Sequence, residues 1–280
     1  MDNVEDYVNS HDLQRRDASD VIEEFIDEVA QMDGRCIDIG CGPGDVTNDI
    51  ILPRLAKDAA IVGADISEKM IKHAKKKYQN EERLSFLTLD IQTPNLPNDL
   101  IGQYDNALSF YCFHWCQNIS QTFRNIYEIL RPGGKSLIVF LAYNSGFNAY
   151  EELSKNPDYR PYMKDIRKYI PFFHNLANPR AHLKKYIEEA GFEILHCSRR
   201  EKTFVYKNLE LFTEHALAVN PFISRIPEDM REQYKNELIR TTINEKILFT
   251  EEKLNQKEYN ILDRYYIFVA YFRKPIDKKL

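Results

Sequence analysis

Apolar and polar residues along the first half of the chain alternate in blocks that predict strands separated by helices. Short apolar runs at about 35–40, 60–65, 84–90, 104–111 and 136–141 each end in a polar or glycine-containing turn, as buried strands do. The segments between them carry apolar residues at helical spacing. Strands that alternate with helices in this way predict a doubly wound, mostly parallel α/β sheet.

The regular alternation weakens after Ala142. An aromatic-rich and proline-rich segment precedes a helix at about 178–191 and a sixth strand at 192–199, and an apolar run at 265–272 predicts a seventh strand. An apolar stripe also predicts a helix from about Tyr7 to Gln31. We therefore expect a single domain, 1–280, with a helical lid at about 5–32, a core at about 33–142, 178–200 and 262–273, and helical inserts after strands five and six at about 143–177 and 203–258.

A glycine-rich turn follows the first predicted strand. The strand runs through Asp38 into Gly40-Cys41-Gly42-Pro43-Gly44, and a helical pattern resumes at Asp45. Glycines at such a turn let the backbone approach a ligand closely, and the following helix offers unpaired N–H groups. A simple turn between a strand and a helix is the alternative, because many α/β proteins contain one.

Two further strands also end in carboxylates, at Asp65 and Asp90. Carboxyl ends of parallel strands share one sheet edge, so with Asp38 they favour a nucleotide-like ligand that has ribose hydroxyls and an amino group. The glycines do not have the spacing of dinucleotide-binding enzymes. The arrangement resembles the Rossmann-like, class I S-adenosylmethionine-dependent methyltransferases. This resemblance implies S-adenosylmethionine as cofactor and S-adenosylhomocysteine as product.

Charge and cysteine content narrow the classes of partner and compartment. The formal net charge is −5, which disfavours a nucleic-acid partner. The five cysteines are odd in number and predict reduced thiols rather than a disulfide framework. The polar, acidic N-terminus is not that of a signal peptide, and no apolar run reaches membrane-spanning length. We expect a soluble, cytoplasmic protein, whose oligomeric state the sequence leaves undetermined.

Candidate chemistry follows the fourth strand, in Ser109-Phe110-Tyr111-Cys112-Phe113-His114-Trp115-Cys116. Trp115 is the single tryptophan, and its indole N–H is a donor that suits a carboxylate, although a packing role is as good an interpretation. His114 is a candidate general base for a hydroxyl or amine acceptor, or a structural histidine. The Cys112, His114, Cys116 spacing lacks a second ligand pair, so we expect no metal. By itself, Gln14 is typical of a surface residue.

Several motifs together extend the resemblance to a narrower family. Gln14-Arg15-Arg16-Asp17-Ala18, His114-Trp115 and Val219-Asn220-Pro221-Phe222 are similar to the insect juvenile hormone acid O-methyltransferases, over essentially the full length. That resemblance implies side-chain donors from Gln14 and Trp115 to the acceptor carboxylate. The acceptor, farnesoic acid or a juvenile hormone acid, would also contact His114, Tyr111 and Phe222. The implied cofactor contacts are Asp38 and Gly40 at the methionine end, Asp65 at the ribose hydroxyls, Asp90 with Ile91 at the adenine, Ser109 near the sulfonium, and Cys41, Gly42 and Ile66.

The sequence therefore favours a carboxyl O-methyltransferase that acts on a lipophilic acid by in-line methyl transfer. A carboxylate is already ionised at neutral pH, so orientation and exclusion of water matter more than acid–base help. Two alternatives stay open. In the first, the acceptor is a different small molecule, either a fatty acid or a compound whose hydroxyl or amine is methylated with His114 as base. In the second, the protein binds terpenoids without catalysis.

Overall fold

The computed structural model describes residues 4, 8, 11–253 and 256–276, and the strands in these ranges form one sheet. The parallel strands coincide with apolar runs of the sequence, because a sheet covered by helices on both faces buries both sets of side chains. The strands are β1 (Arg35–Ile39), β2 (Ala60–Asp65), β3 (Leu84–Thr88), β4 (Tyr104–Phe110), β5 (Leu130–Asn144), β6 (Glu193–Tyr206), β7 (Ile247–Lys253) and β8 (Gln256–Arg273).

The strand order is β3-β2-β1-β4-β5-β8-β6, and β7 pairs with β8 outside this path. The first five strands pair in parallel, whereas β8 lies antiparallel to both β5 and β6. The predicted doubly wound α/β fold is thus confirmed, with eight strands in the described ranges instead of seven. The chain reverses its direction across the sheet between β1 and β4, which is where such sheets bind ligands.

Helices connect the strands and supply the cap over one sheet edge. Ser67 and Asn118 each accept a hydrogen bond from a backbone N–H of the helix that follows, which satisfies one of the unpaired donors of its first turn. The predicted start of the first helix near Tyr7 lies outside the described residues. The helices are α1 (Asp12–Glu24), α2 (Ile26–Val29), α3 (Glu68–Lys77), α4 (Ile119–Ile129), α5 (Gly146–Leu153), α6 (Pro179–Glu189), α7 (Leu209–Ala218) and α8 (Glu228–Ile243).

The helix expected after the glycine turn is irregular. Thr47–Ile51 forms a wide π-helical turn, and Leu52–Arg54 continues as a 3₁₀ turn. Pro53 lies inside this segment and has no backbone N–H with which to continue a regular α-helical ladder. The turn still places the N-terminal end of a helical segment directly after the three glycines.

Three strands are longer than the strands that the apolar runs predict. β5 begins at Leu130, before the glycine pair at 133–134, while β6 continues to Tyr206 and β8 begins at Gln256. The extra residues of β6 and β8 pair with each other as far as Tyr206 and Ile261, and β7 adds a hairpin to the same end. The second insert is therefore not purely helical. Its strand segments carry several charged residues, which is why the apolar runs of the sequence did not predict them.

Phe140 lies at the centre of the apolar face formed by β4, β5 and β8. Its side chain is fully buried, and its ring centroid lies 5.8 Å from Phe113, 5.8 Å from Phe173 and 5.2 Å from Phe268. Aromatic residues from β5, β8, the loop after β4 and the first insert thus share one core. The insert is anchored to the sheet through Phe173.

We predict that Phe140→Ala lowers the free energy of unfolding by about 3–5 kcal/mol, since it removes a fully buried ring and leaves a cavity. Urea denaturation would measure the change. Leu195→Ala is the control, because Leu195 is 44% exposed and loses little packing. Equal effects of the two substitutions would contradict this account of the core.

Candidate functional site

A cavity of about 650 Å³ opens at the carboxyl edge of the parallel strands. Its wall is formed by the glycine turn, the segment after β2, the loop after β4, the start of α5, one face each of α1, α7 and α8, and part of β8. A cavity of this size accommodates a small organic ligand. It lies at the reversal of strand order, so the sheet topology and the cavity indicate the same site.

The glycine turn forms one end of the cavity through Gly40 and Gly42. Gly40 has φ +78°, and a Cβ there would lie 2.2 Å from the Cβ of Cys112, so a larger residue would displace the loop after β4. The N–H of Gly42 donates to Oδ2 of Asp65 at 2.9 Å, and the Ser67 N–H donates to Oδ1 at 2.8 Å. Asp65 therefore joins the glycine turn to the start of α3.

Asp38 lies beneath this turn and is 2% exposed. It accepts a hydrogen bond from the Thr47 hydroxyl at 2.6 Å, and burial raises the pKa of its carboxyl to about 7. Cys41 is also buried, and burial raises the pKa of its thiol. Neither residue is part of the cavity wall, so any contact of either with a ligand would be made from below the turn.

The other predicted cofactor residues divide into two groups. Asp65 and Ile66 line the cavity, and Ile66 is 64% exposed. Asp90 instead accepts a hydrogen bond from the Gln92 N–H, and Ile91 is buried in the core. Ser109 is fully buried, and its hydroxyl donates to the Ile39 carbonyl at 2.7 Å. The structure thus places these last three residues outside the cavity wall.

The residues predicted to contact the acceptor line the same cavity, with one exception. Gln14 of α1 and Tyr111, His114 and Trp115 of the loop after β4 all line it. Phe222 does not: it is fully buried behind the wall, where its ring contacts Tyr150 and Tyr169.

Aromatic residues of the two inserts both line the cavity and form a core of their own. Phe147 and Tyr150 line the cavity. They also belong to a satellite core with Tyr159, Phe222 and Tyr234.

Two polar atoms on the cavity wall have no hydrogen-bond partner among the described residues, namely Oε1 of Gln14 and Nδ1 of His114. Burial lowers the pKa of His114 to about 3, so this imidazole is neutral near pH 7. The Trp115 ring lies 4.8 Å from the His114 ring and 5.9 Å from the Phe147 ring. This part of the wall therefore combines neutral polar groups with aromatic faces.

A buried carboxylate, Asp17, joins α1 to the loop after β4. Its Oδ2 accepts the Tyr111 hydroxyl at 2.5 Å and the Tyr265 hydroxyl at 2.8 Å, while Arg16 donates to Oδ1 at 2.9 Å. Tyr111 has φ +58°, which is uncommon for a residue other than glycine. Asp17 stands one helical turn after Gln14, so this network fixes Gln14 relative to Trp115. Sequence patterns gave no signal for it, because its partners are 94 and 248 residues away.

A second link holds α1 against the glycine turn. Asp45 lies 2.5 Å from Nε2 of His11 and 2.5 Å from Arg15. Burial opposes ionisation of Asp45, but these two partners outweigh it and lower its pKa to about 2. In this structure α1 is therefore packed onto the site as part of its wall.

The end of the cavity opposite the glycine turn is polar as well. Asn144, Lys246 and Asp263 line it, and Lys246 forms a buried ion pair with Asp263. No sequence pattern distinguishes these residues, since each lies in an insert or in a strand extension.

The described residues contain neither a metal-binding cluster nor a membrane-spanning helix. No group of His, Cys, Asp and Glu side chains there is arranged to hold a metal ion. None of the helices in those ranges is long and apolar enough to cross a membrane.

Comparisons with known proteins give results that agree with this geometry. A family model described as a methyltransferase domain matches residues 37–136. The chain is similar to juvenile hormone acid O-methyltransferase of Drosophila melanogaster, with 34% identity over 96% of this chain and 91% of that protein. The corresponding protein of Bombyx mori is 31% identical over 98% of both chains. A solved structure from Bacillus halodurans C-125, described as a methyltransferase, covers 90% of this chain and 98% of its own, with a TM-score of 0.55 and 16% identity, and so shares the fold.

We predict that Tyr111→Phe lowers the free energy of unfolding by about 1–3 kcal/mol, because it removes one donor from the buried Asp17 carboxylate. Urea denaturation measures this change. The emission of Trp115, the single tryptophan, should shift as the loop relaxes.

Tyr104→Phe is the matched control, because the Tyr104 hydroxyl is buried without a hydrogen-bond partner among the described residues. Loss of this hydroxyl should leave the free energy of unfolding almost unchanged. A Tyr111→Phe protein as stable as the Tyr104→Phe protein would contradict the role given to Asp17.

Proposed function

The chain belongs to the juvenile hormone acid O-methyltransferase family and is an S-adenosylmethionine-dependent methyltransferase, and from this premise we propose that its acceptor is the carboxylate of a lipophilic acid. The observation that carries the proposal is the wall formed by Gln14, His114 and Trp115, which is neutral, partly aromatic and close to the glycine turn. Such a wall can hold an anion by hydrogen bonds and leave its oxygen reactive.

The residues at the glycine-turn end fit the cofactor. S-adenosylmethionine, when bound, supplies a methyl group activated by a positively charged sulfur. Asp65 is anchored at both oxygens by backbone N–H groups and lines the cavity, which suits it to accept hydrogen bonds from ribose hydroxyls. Gly40 and Gly42 leave room for close approach of the ligand to the backbone. The buried Asp38 carboxylate beneath them suits a cationic amino group at the methionine end.

The remaining assignments keep the status of predictions. Asp90 and Ile91 are assigned to the adenine, and Cys41, Ile66 and Ser109 to the rest of the cofactor, on the family resemblance. Of these, Ile66 has structural support from its position on the cavity wall. A cytoplasmic location is proposed on chemical grounds, since all five cysteines are free thiols.

The acceptor carboxylate would be held by two neutral donors. The indole N–H of Trp115 is a donor without acceptor character, and the Gln14 amide can rotate to present its N–H₂ group. A cation in direct contact would stabilise the carboxylate in the ground state and weaken it as a nucleophile. Leu13 and Phe147 line the cavity beside these donors and add apolar surface there. The methyl transfer itself then depends on orientation, with no proton to remove.

The pKa of His114 argues against the base-dependent alternative. A general base works best when its pKa lies near the working pH, whereas burial lowers the pKa of His114 to about 3. Such an imidazole takes a proton from a hydroxyl or an amine poorly. An acceptor that is already ionised needs no base, and His114 then serves as a neutral part of the wall.

The rest of the cavity is shaped for an apolar chain. Leu141, Phe147, Val219 directly after α7, and Leu238 of α8 line it between the proposed carboxylate contacts and the far end. We therefore propose farnesoic acid, a juvenile hormone acid or a lipophilic acid of similar size as acceptor. Incubation of each acid, and of straight-chain fatty acids, with S-adenosylmethionine and detection of the methyl ester by mass spectrometry tests this. Absence of ester from every acid would overturn the proposal.

We predict that Trp115→Phe reduces kcat/KM for the acid by about 10- to 100-fold, because it removes one hydrogen bond to a charged group and keeps an aromatic ring. Gln14→Glu should reduce it further, since a second carboxylate repels the acceptor. Affinity for S-adenosylhomocysteine, measured by calorimetry, should change less than about twofold.

Tyr186→Phe is the control for Trp115→Phe, because Tyr186 packs against Phe172 and is not part of the cavity wall. Activity of Trp115→Phe equal to that of this control would show that the indole N–H does not bind the acceptor.

We also predict that cofactor binding releases protons near pH 7. Burial raises the pKa of Asp38 to about 7, so the carboxyl is neutral below this pH and about half ionised at it. A cationic amino group nearby favours ionisation and releases up to about half a proton per site. At about pH 9 Asp38 is already ionised, so the release vanishes.

Calorimetry of S-adenosylhomocysteine binding in two buffers of different ionisation enthalpy measures this release. Asp38→Asn should abolish the difference between the buffers at pH 7. A release that persists in Asp38→Asn would assign it to another group and remove Asp38 from the proposed ammonium site.

A further inference from the structure

A buried ion pair forms part of the cavity wall at the end opposite the glycine turn. The Lys246 side chain is 1% exposed, and its Nζ donates to Oδ1 of Asp263 at 2.5 Å and to Oγ of Ser145 at 2.7 Å. Nδ2 of Asn144 donates to the other Asp263 oxygen at 3.1 Å. Lys246, Asp263 and Asn144 all line the cavity, so this cluster is part of the wall around the space proposed for the acceptor.

One N–H of Lys246 remains available as a donor in this cluster, and the cluster has no net charge. An ammonium group has three N–H donors, and among the described residues Nζ of Lys246 has two acceptors. Asp263 uses both of its oxygens, one for Lys246 and one for Asn144. The positive charge of Lys246 is offset by Asp263. The cluster therefore suits an uncharged oxygen that accepts one hydrogen bond, and it does not suit a second carboxylate.

The sheet sets the distance between this cluster and the proposed carboxylate contacts. Trp115 follows β4, while Asn144 ends β5 and Asp263 lies on β8, and these three strands are neighbours. Adjacent strands lie about 4.8 Å apart, so β4 and β8 are about 10 Å apart across the sheet, with β5 between them. The wall between them is apolar, with Leu141 of β5 and Phe147 of α5.

We propose that Lys246, held by Asp263, is a specificity-determining residue that donates a hydrogen bond to an uncharged oxygen at the end of the acceptor remote from its carboxylate. The oxygen belongs to a hydroxyl, ether or carbonyl group. This inference rests on the proposed carboxylate acceptor and adds a second recognition point to it. Recognition at both ends orients the chain and so aligns the carboxylate.

The test compares farnesoic acid with farnesoic acid hydroxylated on its terminal methyl group. Lys246→Met alone would leave Asp263 as an unpaired buried charge and could unfold the chain. The variants are therefore made in an Asp263→Asn background, where Lys246→Met removes the donor and Lys246→Gln retains an N–H. Thermal unfolding confirms that each variant is folded.

In the wild type, we expect the hydroxylated acid to have about tenfold higher kcat/KM than farnesoic acid, and tighter binding by a similar factor. In Lys246→Met/Asp263→Asn both ratios should fall to about one, and Lys246→Gln/Asp263→Asn should recover part of them. A ratio near one in the wild type, or one unchanged by Lys246→Met/Asp263→Asn, would overturn the inference.

Binding of both acids is measured by calorimetry in the presence of S-adenosylhomocysteine, independently of turnover. This separates the two proposals. Absence of methyl ester together with a binding ratio that depends on Lys246 would refute the proposed reaction and support the second recognition point. Turnover of both acids with equal kcat/KM would support the proposed reaction and refute the second recognition point.

Discussion

The buried Asp17 carboxylate is the constraint on which the geometry of the proposed acceptor site depends. An ionised carboxylate is costly to bury unless donors surround it, and Asp17 receives them from Tyr111, Tyr265 and Arg16. These partners belong to the loop after β4, to β8 and to α1, so meeting the need of one charge fixes three elements together. Gln14 lies one turn before Asp17, and Trp115 lies four residues after Tyr111. The same network therefore sets the distance between these two side chains, which we propose as donors to the acceptor carboxylate.

Burial, rather than neighbouring charges, is the main cause of the pKa shifts of His114 and Asp38. It lowers the pKa of His114 to about 3 and raises that of Asp38 to about 7. The first effect leaves a neutral wall around the acceptor, and the second leaves an uncompensated acidic group beneath the glycine turn. The two shifts together suit a reaction that brings an anion to a cationic cofactor. Positioning and exclusion of water then do what acid–base catalysis does in other enzymes.

The two inserts add residues to the cavity wall of a widespread fold, on the side where we propose that a long apolar acceptor binds. Their aromatic residues pack into a satellite core, and Phe147 and Tyr150 belong both to that core and to the cavity wall. The extension of β8 adds Asp263, which pairs with Lys246 just after α8. The cavity therefore has a polar region at each end and an apolar middle. The parallel strands carry the end proposed for the cofactor, whereas the inserts and strand extensions form the end proposed for the acceptor.

The sequence by itself determined the α/β fold, the glycine turn and the carboxylates at the strand ends, because strand periodicity and turn chemistry are local properties of the chain. Family resemblance added Gln14, which no local pattern distinguishes from a surface residue. Only the tertiary structure decided that Ser109 binds the Ile39 carbonyl and that Phe222 lies behind the cavity wall. It also decided the length of β6 and β8, since their polar ends are strands only through pairing with each other. The Asp17 network and the Lys246–Asp263 pair likewise depend on strand register and insert packing, which bring together residues whose partners no sequence period encodes.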